Sequence, residues 1–502
     1  MSERGATFNS LDTTLPAPDS TDRVHHNPSE ATLRSLSAHL ETETEFGAPA
    51  YVSEQRSRQS EFTRNDTDSD FDAEDYTHVQ TALEGVRETD REFVCLDLQV
   101  GRHPDHTYNA RYFVPAEQAR IALALTRLFE RGEFDEPDFC TVQLPDHGTL
   151  AIRTLVDEGL TTVLGSDYTG EAKKSFLRLF MQRTKAAGGL GLHAGSKRVT
   201  LKDDGDTRDV GQLFLGLSAT GKSTLTAHGL GLSGAESATM LQDDVCALLP
   251  DGTVAGSEGN GLYVKTIGLD RDEQEAVYDA VTHNSAVLEN VDVSEDGTVD
   301  FDSDRYTTNG RAAVFRERLA SAGEEIDLEE VNQVFFITRN PAMPPVTKLN
   351  SASAAAAFML GESIQTSAGD PDAAGEAIRV VGTNPFIVGS EGEEGNRFRD
   401  LIESLDVECY LLNTGRVGER DIGVTESVTI LRELARGSVS WREDGDTGLS
   451  VPADLAGVDI EQFDASANLS DATDRLADLR EERRAYLAAF DDLDDAIVDA
   501  VY

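Results

Sequence analysis

Gly216-Leu217-Ser218-Ala219-Thr220-Gly221-Lys222-Ser223-Thr224-Leu225 follows the apolar run Leu213-Phe214-Leu215 and leads into Thr224-Leu225-Thr226-Ala227-His228, which can open a helix. Strand, glycine-bounded loop and helix, in that order, are what a phosphate-cradling P-loop requires. Its glycines permit backbone geometry that a side chain would forbid, so several N–H groups can point at one phosphate chain. The helix dipole adds positive potential at the same place. In such a loop Lys222 reaches the terminal phosphates and the Ser223 hydroxyl ligates magnesium. The stretch predicts an α/β fold that binds a nucleoside triphosphate.

A chain of 502 residues is too long for one ordinary core, so two or three lobes are expected. No apolar run approaches the length of a membrane span. The polar, mixed-charge stretch from Met1 to Thr32 has the pattern of neither a signal nor a transit peptide. Cys95, Cys140, Cys246 and Cys409 lie far apart, with no metal-ligand spacing, and read as buried apolar residues of a reducing, cytoplasmic protein. The net charge is −48, spread along the chain, and only eight residues are lysine, all between Lys173 and Lys348. A dispersed acidic, lysine-poor surface repels itself in dilute buffer and is tolerable where salt screens it, which points to a halophilic cytoplasm. It disfavours nucleic acid as a partner, because phosphate neutralisation needs a basic surface. A chain that avoids lysine but keeps Lys173, Lys174, Lys222 and Lys265 is expected to need some of those amines.

Residues 1–30 read as a disordered tail, residues 31–204 as a mixed α/β N-terminal lobe and residues 205–502 as a P-loop-bearing C-terminal lobe. Within the first, Glu30 to His39 suggests a short helix, Phe93 to Val100 a strand, Pro115 to Glu130 an amphipathic helix and Asp138 to Val142 another strand. Within the second, Asp243-Asp244 enters an apolar run and a hairpin. Val334 to Ile337 and Cys409 to Leu412 read as buried strands, and Asp471 to Tyr502 as helix.

Three constellations carry chemistry. Asp243-Asp244 lies about twenty residues beyond the loop, where a P-loop enzyme needs a carboxylate to hold a divalent cation. Upstream stand Tyr168-Thr169-Gly170-Glu171-Ala172-Lys173-Lys174 and, 19 positions after Lys174, His193 in Gly191-Leu192-His193-Ala194-Gly195. On spacing alone an acidic pair can equally cap a turn, and a histidine among small residues can equally be a satisfied core group. A lysine becomes a metal ligand only after losing a proton.

Taken together, Tyr-x-Gly-Glu-x-Lys-Lys, the later histidine, the Gly-Leu-Ser-x-Thr-Gly-Lys-Ser-Thr-Leu loop and the Asp-Asp pair resemble ATP-dependent phosphoenolpyruvate carboxykinases, here of haloarchaeal type. The likeness continues through Glu258-Gly259, Tyr263-Val264-Lys265-Thr266, Leu288-Glu289-Asn290-Val291, Glu295 to Phe301, Met343-Pro344-Pro345-Val346 and Leu412-Asn413-Thr414-Gly415, covering most of residues 90 to 440. It implies a two-lobed α/β fold with a cleft between a mixed α/β lobe and a P-loop lobe. It also implies conversion of oxaloacetate and ATP to phosphoenolpyruvate, carbon dioxide and ADP. The Gly-Leu-Ser form of the loop implies ATP rather than GTP. The resemblance further implies that Lys174, His193 and Asp244 are manganese ligands and that Lys222 and Ser223 serve the nucleotide and its magnesium. Gly216 through Thr224, with His193, would line the nucleotide; Tyr168 and Arg56 would bind substrate. Lys173 and Arg311 would stabilise the enolate and bridge substrate to the γ-phosphate, while Arg420 and a hydroxyl at Ser427 or Thr425 would contact the nucleotide.

Departures from the family pattern matter. Ala219 stands where a glycine is usual, and Gly-Arg-Ser-Pro is reduced to Gln55-Arg56-Ser57-Arg58, leaving Arg56 or Arg58 as carboxylate clamp. An acid that touches nucleotide falls on Gln274, between Glu273 and Glu275. Competing readings are a P-loop kinase of another small acid or of a protein, which would not need Lys174 and His193 together, and a non-catalytic ATP-binding regulator, which should have lost Lys222 or an acidic ligand. The expected partners are small molecules, with no membrane and no nucleic acid, in a monomer or small homo-oligomer.

Overall fold

The computed structural model describes residues 12–17, 23–88, 90–217, 220–272, 274–364, 377–445, 448–469 and 472–502. Residues 1–11 and 18–22 of the expected tail, Ser218 and Ala219 of the loop, Glu273 and Asp471 lie outside the described residues. The chain is mixed α/β and divides into two compact units, residues 1–182 with 258–320 and residues 183–257 with 321–502. This interleaved division differs from the single cut after residue 204, and strand pairing explains why. Strands Leu190–Leu192 and Ala194–Asp203 pair with Cys246–Leu248 and Asp206–Gly216, so they belong with the P-loop. Strands Gly261–Lys265, Arg311–Phe315 and Val287–Glu289 form one sheet with Pro49–Tyr51 and Thr42–Glu43, which returns residues 258–320 to the first unit. Within the segment expected to be a tail, Val24–His26 form a strand parallel to Phe93–Cys95.

The first unit's larger sheet runs in the order Val24–His26, Phe93–Val100, Tyr108–Pro115, Phe139–Leu144, Leu160–Leu164, Ala151–Leu155, Thr63–Asn65. Phe93–Val100 is buried at nearly every position, the sign of a strand covered on both faces. Helix Ala73–Arg87 opens on a capping box of Asp72 and Asp75 and packs Val79 and Leu83 against Phe93, Phe113 and Val142. The expected helix from Pro115 begins only at Ala119, because Pro115 still ends a strand and a 3-10 turn intervenes. Helix Thr169–Ala186 carries Glu171, Lys173 and Lys174 near its start.

In the second unit an eight-stranded sheet has the order Ser237–Gln242, Ala194–Asp203, Asp206–Gly216, Gln333–Thr338, Glu408–Asn413, Val346–Leu349, Ser450–Asp454, Ser440–Glu443. Asp206–Gly216, Gln333–Thr338 and Glu408–Asn413 are parallel and end together, Gly216 beside Ile337 and Thr338 beside Asn413. Ligands of open α/β sheets bind at such carboxyl ends. A ladder of stacked rings crosses these strands, with Phe214 to Phe335 at 5.3 Å, Phe335 to Tyr410 at 5.3 Å and Tyr410 to Trp441 at 5.6 Å. Cross-strand aromatic pairs fix register, so the ladder holds the P-loop strand level with its neighbours. Below the sheet, helix Ser351–Leu360 is buried from Ala354 onward and stacks Phe358 on Phe398 of helix Glu391–Ser404. The C-terminal stretch is two helices, Ala472–Leu487 and Asp495–Val498.

Candidate active site

The P-loop begins where its strand ends. A Cβ on Gly216 would sit 2.6 Å from the Thr220 hydroxyl, and Gly221 has φ +100°, a conformation that favours glycine. Thr220 is tied within the loop by its hydroxyl, which donates to the Leu217 carbonyl at 2.8 Å. The Thr414 hydroxyl, from the loop after the parallel strand next but one, donates to the Thr220 carbonyl at 2.7 Å. The loop thus enters helix Lys222–Ala227 already braced, with Ser223 and Thr224 exposed at its start. The Ser223 hydroxyl donates to Asp243 Oδ2 at 3.2 Å, while Asp243 Oδ1 is buried with no hydrogen-bond partner among the described residues. An orphaned buried carboxylate oxygen beside a hydroxyl at a P-loop is a donor set that suits a divalent cation.

Antiparallel pairing explains how His193 meets Asp244, 51 residues away. Leu192 lies opposite Cys246, so the residues just beyond each strand end face one another. Ala194 lies opposite Leu215, which brings His193 level with Gly216 at the head of the P-loop. His193 Nε2 is 3.0 Å from Asp244 Oδ1, and Nδ1 donates to the carbonyl of Thr383. Thr383 adopts φ +51°, unusual for a β-branched residue, in the turn that aims this carbonyl. A carbonyl can only accept, so Nδ1 carries the proton, and Nε2 with the Asp244 carboxylate calls for a proton or a cation between them. A ring N–H held by a backbone carbonyl is the usual support of a metal-binding imidazole. These residues fit a metal.

In the first unit the side chains assigned to substrate converge through Asn309. Its amide donates to the Arg56 carbonyl at 3.0 Å and the Tyr168 hydroxyl at 3.3 Å, and its oxygen accepts from Arg311 at 2.8 Å. Arg311 starts its strand between Lys265 and Glu289. Arg56 donates to Asn290 Oδ1 at 2.7 Å and lies over the Tyr306 ring. Lys173, 2% exposed, pairs with the also buried Glu258 at 3.0 Å. The Tyr263 ring has Lys173 and Arg311 each 5.7 Å from its centre. The Tyr263 hydroxyl donates to Glu289, which also accepts from Arg120 at 3.0 Å and from Thr169. Burial, helped by Arg311, lowers the Lys265 amine below its usual range. Gly170 in the Tyr-x-Gly-Glu motif has a physical reason, because a Cβ there would lie 2.3 Å from the Tyr168 ring. Lys174 sits half-buried on the same helix, one turn beyond Glu171.

Asn309, Tyr263, Glu289 and Asn290 went unassigned from the sequence, although each lies inside or beside a stretch that carries the family likeness. Arg420 is exposed, donating to Gln462 over the Phe463 ring. Ser427 is buried with its hydroxyl donating to the Gly423 carbonyl at 3.1 Å, whereas Thr425 is exposed. Gln274 precedes helix Glu275–Val281 as its N-cap. A cavity of about 640 Å³ in the second unit is lined by Pro344, Pro345, Arg442, Phe463 and the carboxylates of Asp444, Asp454, Asp459, Glu461 and Asp464. That charge repels a phosphate chain, so it is no nucleotide site. Among the described residues His26, Cys95 and Asp97 also cluster, but both Asp97 oxygens are taken by Arg111, at 2.7 and 2.9 Å, and the group reads as an ion pair.

Residues 41–461 match the family model described as phosphoenolpyruvate carboxykinase. The phosphoenolpyruvate carboxykinase (ATP) of Aeropyrum pernix is 35% identical over 92% of this chain and 94% of its own. Enzymes of that same name from Chelativorans sp. and Brucella anthropi are 31% and 29% identical, over 75% and 76% of this chain and 72% and 73% of theirs. Among the described residues no helix is long and apolar enough to cross a membrane.

Proposed function

The chain belongs to the ATP-dependent phosphoenolpyruvate carboxykinase family, and on that premise we propose the residues by which it converts oxaloacetate and ATP to phosphoenolpyruvate, carbon dioxide and ADP. The observation that carries the assignment is the pairing of His193 Nε2 with Asp244 Oδ1 at 3.0 Å, level with the head of the P-loop. On the family reading, His193 and Asp244, together with Lys174, would hold one divalent cation, manganese. Ser223, with Asp243 beside it, would hold the magnesium that accompanies the nucleotide. When bound, the cations supply positive charge against the enolate and the phosphates.

Arg56 and Tyr168 orient the oxaloacetate carboxylates, and Asn309 keeps Arg56, Tyr168 and Arg311 in one array. Loss of carbon dioxide leaves an enolate, whose charge the Lys173 ammonium and the Arg311 guanidinium oppose. The enolate oxygen then attacks the γ-phosphoryl group and ADP leaves. Gly216 to Thr224 hold the phosphates in line, with Lys222 on their terminal oxygens. Arg420 contacts the nucleotide together with a hydroxyl, for which exposed Thr425 is better available than the internally bonded Ser427. Gluconeogenesis is the usual role of such an enzyme. The acidic, lysine-poor composition supports work in a salt-rich cytoplasm.

The assignment is tested with His193→Ala and Asp244→Asn, assayed for phosphoenolpyruvate formation at limiting divalent cation. Losses of about a hundred-fold or more are expected, since even the outer partners of metal ligands commonly carry 10–100-fold. Full activity in both variants would refute it.

A further inference from the structure

Between strand Pro49–Tyr51 and the 3-10 turn Ser60–Phe62 runs a strap, residues 52–59, with no regular structure of its own. Such a segment has backbone N–H groups that neither helix nor sheet can satisfy. Two carboxylates, one just before helix Thr169–Ala186 and one in its first turn, meet that need. Asp167 accepts from the Glu54 N–H at 2.8 Å on one oxygen and from the Gln55 N–H at 2.9 Å on the other. Glu171 accepts from the Gln59 N–H at 2.6 Å. The two acids, four residues apart, grip the strap on either side of Arg56, Ser57 and Arg58.

Both grips are themselves anchored. Arg120, 2% exposed, donates to Asp167 Oδ2 at 2.8 Å and to Glu289 at 3.0 Å. Ser53 is tied to Asn290, its N–H donating to Oδ1 at 2.9 Å, and that same oxygen accepts from the Arg56 guanidinium. Glu171 is almost wholly buried, with Arg58, Arg178 and Lys174 near enough to act on its charge. A buried carboxylate spent on one backbone N–H is costly unless that N–H must be held in place.

We propose that Asp167 and Glu171 are positioning residues for substrate, clamping the strap so that Arg56 meets the oxaloacetate carboxylate at a fixed distance. The proposal rests on the reading of Arg56 as the carboxylate clamp. A strap freed at one end misplaces Arg56 by a fraction of its length, and misplacement on the ångström scale weakens binding of the anion it orients. ATP binding, served by a different set of residues, is untouched.

The test uses the full chain in molar salt and measures kcat, KM for oxaloacetate and KM for ATP in Glu171→Gln, Glu171→Asp, Asp167→Asn and Arg56→Lys. For Glu171→Gln and Asp167→Asn, KM for oxaloacetate should rise about ten-fold while KM for ATP stays within about two-fold. Because the pair acts through Arg56, the double variant Arg56→Lys with Glu171→Gln should raise KM little beyond Arg56→Lys alone. Glu171→Asp keeps the charge and shortens the reach, so it should show the same split even if the amide variant fails to fold. An oxaloacetate KM unchanged in Glu171→Asp and Asp167→Asn, with only a lower melting temperature, would overturn the positioning role. An unchanged KM in Arg56→Lys would instead overturn the clamp reading beneath it.

Discussion

Lys197 offers the sharpest quantitative prediction. It lies on strand Ala194–Asp203, fully buried, with its amine donating to the carbonyls of Leu225 and His228 at the C-terminal end of the P-loop helix. Burial lowers this amine from its ordinary 10.5 to about 7. That displacement corresponds to about 5 kcal/mol in favour of the neutral amine. In the unfolded chain the amine keeps its proton up to its ordinary range; in the folded chain it loses it above about 7. Between those limits the unfolded state holds the extra proton, so stability rises with pH by about 1.4 kcal/mol per pH unit, and below the window the full cost is present. Burial, then Lys197, lowers the neighbouring His228 below its ordinary 6.5, so it stays neutral throughout that window. Lys197→Met should abolish the slope, a difference of nearly 3 kcal/mol accumulated across about two pH units. The assay is urea unfolding in molar potassium chloride from neutral to alkaline pH, followed by fluorescence of Trp441, the chain's single tryptophan, which sits in the same sheet as Lys197. The variant should also raise KM for ATP, because the helix after the P-loop loses two donors at its end. Parallel pH dependences for Lys197→Met and the unaltered protein would refute the reasoning.

Three further outcomes follow from the same geometry. Thr414→Val removes the hydroxyl that braces the Thr220 carbonyl and should cost about 1–3 kcal/mol, read as a rise of roughly five-fold to a hundred-fold in KM for ATP with oxaloacetate KM unchanged. Arg483→Met strips a buried partner from Glu362, whose carboxyl Arg483 and Arg379 hold below its ordinary range against the opposing effect of burial. Thermal or urea unfolding should show a loss of about 3–5 kcal/mol. With the carboxyl no longer held down, acid unfolding should also begin at a higher pH, since a depressed acid contributes stability above its unfolded pKa that is lost as pH falls. Finally, the melting temperature should fall steeply as potassium chloride is lowered from about 2 M to about 0.1 M, where the screening length grows to roughly 10 Å, and sucrose should not substitute.

How much of this was legible in the sequence depended on range. The P-loop and the Asp243-Asp244 pair are local patterns, and their elements formed where the pattern put them, whereas Tyr-x-Gly-Glu-x-Lys-Lys was legible as a motif and its helix came only from the structure. His193 was legible only as a spacing, and the pairing of Leu192 with Cys246 supplies the reason it meets Asp244. The interleaved units were not legible, because the return of residues 258–320 depends on pairing Leu288 with Ala50 across more than two hundred positions. Val24–His26 was read as part of a tail for the same reason, since a three-residue strand has no period of its own and exists only beside Phe93–Cys95. Asn309, Asp167 and Lys197 look like ordinary surface residues in a one-dimensional reading. Only their burial or their partners mark them out.

This chain couples decarboxylation of oxaloacetate to phosphoryl transfer from ATP. Phosphorus NMR of the purified protein with oxaloacetate, ATP and a divalent cation in molar salt tests it most directly. Phosphoenolpyruvate and ADP should appear in equal amounts, matched by carbon dioxide release, and omission of oxaloacetate should stop ATP consumption. Inorganic phosphate accumulating from ATP regardless of oxaloacetate, with no phosphoenolpyruvate signal, would contradict it.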